Sequence, residues 1–223
     1  MSGERPTVFI VDDDADVRTS TARLLRTATY ETVTFESAAE FLAHYEGETP
    51  GCIILDVAMS GLSGLQLQER LVERGCLHPI IFLTGVGNVP TSVKAMKAGA
   101  VNFLTKPVEE DELFATVEEA IHLDLAGRRV RTRKQIIARR LEKLTPRERE
   151  VFQLVIAGRL NKQIAAALGT VEKTIKVHRA RVMHKTGART VAELVQLAAC
   201  VGIVAVPPLR RPTYEGTASF RAG

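Results

Sequence analysis

The sequence is poor in the residues that mark several classes of protein. Its 223 residues include no Trp and three Cys, and 5% of them are aromatic. The cysteines are odd in number and contain no Cys-x-x-Cys pair, so neither a disulfide framework nor a zinc site is predicted. The longest apolar stretch, near residues 197–206, is too short to span a bilayer, and the N-terminus has no apolar signal region. We therefore expect a soluble cytoplasmic protein without a membrane partner.

Charge is divided unevenly along the chain. Residues 1–125 contain 9 Lys and Arg against 20 Asp and Glu, a net charge of −11, whereas residues 126–223 have a net charge of +15. A chain of 223 residues exceeds the usual size of one domain. The split therefore predicts two domains with different tasks, of which the basic one acts on nucleic acid.

Four short apolar runs in the acidic half each end in a side chain suited to handling phosphate. They are residues 7–11 before Asp12 and Asp13, 52–55 before Asp56, 80–83 before Thr84, and 101–105 before Lys106. Short apolar runs that alternate with helical patterns predict a doubly wound parallel α/β sheet. Because ligands bind beyond the carboxyl ends of such strands, we expect these side chains to converge at one edge.

The residue types in this set indicate phosphoryl chemistry. Clustered carboxylates favour a hard divalent cation such as Mg²⁺, while Lys106 and Thr84 add a second cation and a hydroxyl. This combination complements a phosphoryl group attached to a carboxylate. Asp56 stands alone at the tip of an apolar strand, so it is the best candidate for the attacking carboxylate.

These residues also carry a family resemblance. The runs FIVDDDADVR, CIILDVAMSGLSGLQL, IIFLTG and AMKAGAVNFLTKPV resemble the receiver domain of two-component response regulators over residues 5–122. The resemblance implies a flavodoxin-like sheet in the order 2-1-3-4-5. It also implies that Asp56 accepts a phosphoryl group from a sensor histidine kinase.

Further roles follow from the same resemblance. Asp12, Asp13, Asp56 and the backbone carbonyl of Ala58 would hold Mg²⁺ or Mn²⁺. Thr84 and Lys106 would contact the phosphoryl group, Thr84 and Phe103 would act as a switch, and the Lys106–Pro107 peptide is expected to be cis. Ser60 departs from the family pattern, which usually has Pro at this position.

A basic segment, residues 123–143, separates the two halves. Its apolar positions Ile136, Ile137 and Leu141, followed by Leu144, have helical spacing, so the segment is predicted to continue the preceding helix, although Gly127 weakens that prediction. The stripe is compatible with a coiled seam to a partner chain or with a solvated linker.

From residue 144 onward the pattern predicts four short helices. Thr145, Pro146 and Glu148 form a helix start signature, and Asn161 is predicted to cap the next helix. A short helix, a turn at Gly169 and a longer basic helix make the layout of a helix-turn-helix. Ile175 and Val182 are expected to face the core of this domain, with Lys173, Lys176 and Arg179 on the outer surface.

The stretch from residue 144 to 198 resembles the LuxR-type DNA-binding domain. By that resemblance Lys176 and Val177 contact bases, and Lys173, Thr174, His178 and Arg181 lie near the backbone or groove. Asn161, Lys162 and Thr190 are expected phosphate contacts. Val171 stands where Ser is usual, so Thr170 is expected to cap the recognition helix.

Together the two resemblances imply a response regulator of the NarL/FixJ class. The predicted organisation is a receiver at 1–122, a helical linker at 123–143, a DNA-binding domain at 144–204 and a disordered tail at 205–223. The implied function is a transcription factor, not an enzyme. Phosphorylation of Asp56 would favour a homodimer bound to double-stranded DNA, with RNA polymerase as a further partner.

Three alternatives remain open on the sequence alone. A phosphatase with an aspartyl nucleophile would need an Asp-x-Asp motif after one strand, whereas Asp56 is followed by Val57 and Ala58. A ligand-sensing LuxR-type regulator would need an apolar pocket in place of the acidic one. A receiver that works without phosphorylation is disfavoured because every pocket residue is present.

Overall fold

The computed structural model divides into two compact units, residues 1–130 and 131–223. It describes residues 5–85 and 89–204 of the chain. The boundary between the units falls inside the predicted linker, and the predicted tail at 205–223 lies outside the described residues.

The first unit is built on a five-stranded parallel sheet in the predicted order 2-1-3-4-5. Its strands are β1 (Thr7–Val11), β2 (Glu31–Phe35), β3 (Gly51–Leu55), β4 (Ile80–Thr84) and β5 (Asn102–Thr105). Its helices are α1 (Ala15–Thr27), α2 (Ala38–His44), α3 (Gly64–Glu73), α4 (Val89–Lys97) and the first part of α5 (Glu110–Glu142). Every residue of β3 and β4 is buried because helices cover both faces of the sheet.

Alternate residues of the central strands feed two separate cores. Ile10, Ile54 and Ile81 pack on one face against α1 and α5. On the other face the strands pack against α2, α3 and α4 through residues that include Ile53 and Phe82. Since helices cover both faces of the sheet, polar chemistry is confined to the ends of the strands.

Helix α5 extends through the predicted linker without a break at Gly127. It has 33 residues, so the predicted helical continuation is present. Ile137, Leu141 and Leu144 are buried in the core of the second unit. They are therefore neither a solvated linker nor a seam for a partner chain, while Ile136 stays exposed.

The second unit adds four helices to this end of α5. They are α6 (Pro146–Ile156), α7 (Asn161–Ala167), α8 (Glu172–Thr186) and α9 (Val191–Cys200). The predicted capping box of Thr145 and Glu148 is present at the start of α6. The buried Glu148 carboxylate also accepts a hydrogen bond from Lys185 Nζ at 2.5 Å, which lowers the pKa of Glu148.

Two predicted caps are wrong. The residue at the N-cap of α7 is Leu160 rather than Asn161, and Gln163 Oε1 accepts the Leu160 N–H at 3.0 Å in place of a cap side chain. The N-cap of α8 is Val171, which has no side-chain oxygen, and Thr170 does not replace it. Helix α8 therefore begins without a side-chain cap.

A buried ion pair joins α5 to the start of β3. Asp124 Oδ2 accepts from Arg128 Nε at 2.6 Å and from the Gly51 N–H at 3.0 Å. Arg128 also donates to the backbone carbonyls of Gly47, at 3.1 Å, Glu48, at 2.5 Å, and Thr49, at 2.8 Å. The Asp124 side chain is fully buried. Sequence reasoning missed this contact because Arg128 is the first of a run of basic residues.

Replacing Arg128 with Ala should destabilise the first unit. The change leaves the Asp124 carboxylate buried without the guanidinium and removes the Arg128 donors from three backbone carbonyls, so we expect a loss of about 3–5 kcal/mol in the free energy of unfolding. Urea unfolding of the full chain followed by circular dichroism measures this loss. Arg129→Ala removes an exposed neighbouring charge and should change the midpoint little; equal effects of the two variants would contradict the structural role of the pair.

Candidate functional site

Three of the predicted pocket residues meet at the carboxyl edge of the sheet. Asp12 follows β1, Asp56 follows β3 and Lys106 follows β5. Lys106 Nζ donates to Asp12 Oδ2 at 2.6 Å and to Asp56 Oδ1 at 3.1 Å. The two carboxylate side chains are only 5% and 6% exposed. One ammonium group therefore serves two nearly buried acids.

Backbone pairing beyond the strands fixes these positions. The Asp12 N–H donates to the carbonyl of Phe35, and the Asp56 N–H donates to the carbonyl of Val11 at 2.9 Å. At the other side of the site the Lys106 N–H donates to the carbonyl of Thr84 at 2.8 Å. Each of these residues thus adds one backbone hydrogen bond beyond the end of its strand, so the strand register fixes the position of its side chain.

Burial and the contacts between Lys106 and the carboxylates shift the pKa values of this cluster in opposite directions. Burial raises the pKa of Asp12, and the hydrogen bond from Lys106 only partly offsets that effect. Burial alone would lower the pKa of Lys106, but its contacts with Asp12 and Asp56 outweigh burial and raise it. The lysine is therefore held in its charged form between the two carboxyl groups.

Asp13 lies at the same edge but faces the loop after β3. Its Oδ2 accepts from the Ser60 N–H at 2.8 Å and from the Ser60 hydroxyl at 2.9 Å, and these bonds lower the pKa of Asp13. Proline could supply neither donor, so the departure at position 60 adds two hydrogen bonds to this acid. Sequence reasoning identified Ser60 only as a departure from the family pattern and missed this contact.

The remaining pocket residues occupy the expected edge. Thr84 ends β4 and is fully buried. The Ala58 N–H donates to Asp56 Oδ2 at 2.7 Å, so both oxygens of that carboxylate have a donor. Phe103 is partly buried, with its ring centroid 5.9 Å from that of Phe82. The Lys106–Pro107 peptide is cis.

The chemistry of the donor set suits a hard divalent cation. Within residues 5–85 and 89–204, no three His, Cys, Asp or Glu side chains are grouped as a metal site. Lys106 Nζ donates hydrogen bonds to one oxygen each of Asp12 and Asp56, and the Ser60 N–H donates to Asp13 Oδ2. Carboxylate and carbonyl oxygens are nevertheless the ligands that Mg²⁺ prefers, with water completing its shell.

A second candidate site lies on α8. Ile175 and Val182 are fully buried as predicted. The predicted contact residues Lys173, Lys176, Val177 and Arg181 are exposed, and Thr174 and His178 are partly buried. Lys176 lies 3.5 Å from Glu172 in an exposed pair. An exposed face with cations and one apolar side chain is suited to a DNA groove.

Contacts around α8 position the other predicted residues. Asn161 Oδ1 accepts from Arg179 Nη1 at 3.0 Å, which joins the start of α7 to the middle of α8. Arg179 was expected on the outer surface, but it is partly buried and acts in this contact. Thr190 caps α9 by accepting from the Glu193 N–H, and Lys162 is exposed.

Family comparisons match both units. Residues 8–118 match the response regulator receiver domain. Residues 142–198 match the family of bacterial regulatory proteins of the luxR type. None of the helices in the described part of the chain has the length and apolarity that a membrane crossing requires.

Related proteins share both units along most of their length. Nodulation protein W of Bradyrhizobium diazoefficiens is 41% identical over 89% of this chain and 87% of its own. The transcriptional regulatory protein FixJ of the same species is 41% identical over 88% of this chain and 96% of its own. The solved structure of the response regulator StyR is 45% identical, covers 87% of this chain and 98% of its own, and superposes with a TM-score of 0.81.

Removal of the Lys106 charge should raise the pKa of Asp12 further. Lys106→Met keeps the aliphatic stem but removes the ammonium that opposes the effect of burial. The carbon chemical shift of the Asp12 carboxyl group, followed by NMR across pH, reports the change. Lys97→Ala removes an exposed lysine of α4 and should leave this titration unchanged. An unaltered Asp12 titration in Lys106→Met would contradict the proposed charge balance.

Proposed function

Because this chain belongs to the response regulators that join a receiver domain to a LuxR-type DNA-binding domain, we propose that a sensor histidine kinase phosphorylates Asp56 and thereby controls sequence-specific DNA binding. The observation that carries this proposal is the shared contact of Lys106 with Asp12 and Asp56. This contact places the Lys106 ammonium group beside Asp56, the carboxylate that directly follows the central, fully buried strand β3.

The pocket residues have different roles in the proposed phosphoryl transfer. An oxygen of Asp56 attacks phosphorus, and the bond from phosphorus to the donor group breaks. The product is an acyl phosphate, which carries about one more negative charge than the free carboxylate. Lys106 stabilises that charge and Thr84 offers a buried hydroxyl at the same edge. Mg²⁺ or Mn²⁺ held by Asp12, Asp13, Asp56 and the Ala58 carbonyl would supply further positive charge to the phosphoryl oxygens.

Phosphorylation would act on the side of the receiver formed by α4, β5 and α5. Thr84 and Phe103 are the proposed switch residues. Thr84 ends β4 at the pocket, and Phe103 lies on the paired strand β5, two residues before its end. Helix α4 exposes Val89, Val93 and Met96, which are spaced along one face. This apolar face supports a homodimer of the phosphorylated protein.

The second unit would place α8 in the major groove. Lys176 and Val177 are proposed to contact bases, with Lys173, Thr174, His178 and Arg181 near the backbone or groove. Asn161, Lys162 and Thr190 are proposed phosphate contacts. A dimer would present two such helices to paired half-sites, and RNA polymerase is a further proposed partner.

Asp56→Asn should abolish labelling by acetyl phosphate. The amide is a poor nucleophile, so the intact mass of the wild-type protein should rise by one phosphoryl group while that of Asp56→Asn stays constant. Asp111→Asn changes an exposed acid in the first turn of α5 and should leave labelling intact. Labelling of Asp56→Asn at the wild-type level would show that another residue is the acceptor.

Lys176→Ala should weaken binding to an operator selected from random-sequence duplexes by about 1–3 kcal/mol. The loss should be smaller on a shuffled duplex, because a base contact carries sequence preference while a phosphate contact does not. Fluorescence anisotropy with both duplexes measures the difference, with Lys97→Ala as the control. Unchanged affinity on the selected duplex would mean that this face of α8 does not contact the bases.

A further inference from the structure

The part of α5 that belongs to the second unit has an exposed basic face that the proposed DNA contacts do not use. Arg133, Ile136 and Arg140 follow one another at intervals of three and four residues, so they share one side of α5, and Lys143 follows three residues later, just after the helix ends. All four are exposed. We call this set the basic stripe.

The basic stripe has a fixed place beside α8, the proposed recognition helix. Ile137 and Leu141, next to it on the helix, are buried in the core of the second unit. Arg140 Nη1 donates to the carbonyl of Thr186 at 3.2 Å, at the C-terminal end of α8. Lys185 Nζ donates to the carbonyl of Lys143 at 3.1 Å. The stripe therefore borders the turn between α8 and α9.

That turn carries more groups that favour an anion. Arg189 is exposed on it, and α9 begins with the cap residue Thr190, so the positive end of the helix dipole lies there. Thr190 is also one of the proposed phosphate contacts. The basic stripe thus continues the proposed DNA surface beyond the recognition helix.

Carboxylates do not neutralise this face. Within the described residues, Arg133, Arg140 and Lys143 form no ion pair with Asp or Glu. The nearby Glu148 is buried and bound to Lys185, and Glu193 accepts from the Arg189 N–H at 2.6 Å. Glu142 points to another side of the helix, about 160° from Arg140 at 100° per residue. Three cations therefore face solvent over about 15 Å, from within α5 to the residue just after its end.

We propose that the basic stripe binds the phosphate backbone of the duplex outside the segment that α8 reads. The inference rests on the proposed DNA-binding function and extends its footprint. A row of cations about 15 Å long matches a polyanion with a phosphate charge every ~3.4 Å along each strand. Such contacts add affinity without sequence preference, and their number sets the salt dependence of binding.

The test compares two double variants of the full chain. Arg133→Ala/Lys143→Ala removes two cations from the stripe, and Arg140 is left in place because it supports the end of α8. Lys134→Ala/Arg149→Ala removes two exposed cations of the same unit, one from another side of α5 and one from α6, and matches the change in charge. Both are titrated, after treatment with acetyl phosphate, against a random-sequence duplex that extends one helical turn past the recognition helix on each side.

We expect the stripe variant to lower the slope of log affinity against log salt by about two, one for each lost phosphate contact. The control variant should keep the wild-type slope. A trimmed duplex without the extensions should remove the difference between the two variants. Equal slopes in both variants would show that the cations act only through the overall electrostatic field of the protein. Tighter DNA binding by the stripe variant would show that an acidic protein surface occupies the stripe. Either result overturns the inference.

Failure of the inference is separable from failure of the proposed function. If wild type binds DNA and Lys176→Ala weakens binding to the selected operator while the stripe variant behaves as wild type, only the stripe assignment is wrong. If wild type binds no duplex under any condition, DNA binding and the stripe assignment fail together.

Discussion

The contact of one ammonium group with two nearly buried carboxylates is the constraint on which the site in the first unit depends. Asp12 and Asp56 arrive on neighbouring strands, and Lys106 reaches both from β5 on the far side of β4. Close carboxylates in a low-dielectric site are stable only with compensating positive charge. With Asp13 at the same edge, three carboxylates lie near one lysine that contacts two of them, so the charge balance favours a second cation at this edge.

Helix α5 is the element that both units use. Leu113 and Val117 pack in one core of the first unit, and Ile137 and Leu141 pack in the core of the second. Between these anchors the pair of Asp124 and Arg128 fixes the helix to the start of β3, the strand that ends next to Asp56. Under the proposed function, the strand that carries the acceptor and the helix that leaves the receiver are therefore in direct contact.

The sequence predicted the sheet and the pocket well because both depend on local pattern. Apolar runs that end in Asp12, Asp56 and Lys106 predicted the parallel sheet and the convergence of these side chains, and the family resemblance predicted the strand order. The structure has all three. What the pattern could not provide was the partner of each polar atom. Asp13 binds Ser60, a residue 47 positions away, and only the folded loop brings them together.

The errors in the second unit have a similar origin. The spacing of Ile137 and Leu141 showed an apolar face but could not say which surface covers it, and the structure buries it in the same unit. The predicted caps at Asn161 and Thr170 assumed that a polar side chain near a helix start serves as its cap. In the structure the Asn161 side chain instead accepts from Arg179, and this tertiary contact outweighs the local preference.

The most direct test of the link between Asp56 and DNA binding is the affinity of the full chain for its selected operator, measured with and without acetyl phosphate. Wild type should bind more tightly after phosphorylation, and Asp56→Asn should show one affinity under both conditions. Equal affinity of wild type in both conditions, or the same gain in Asp56→Asn, would contradict control of DNA binding through Asp56.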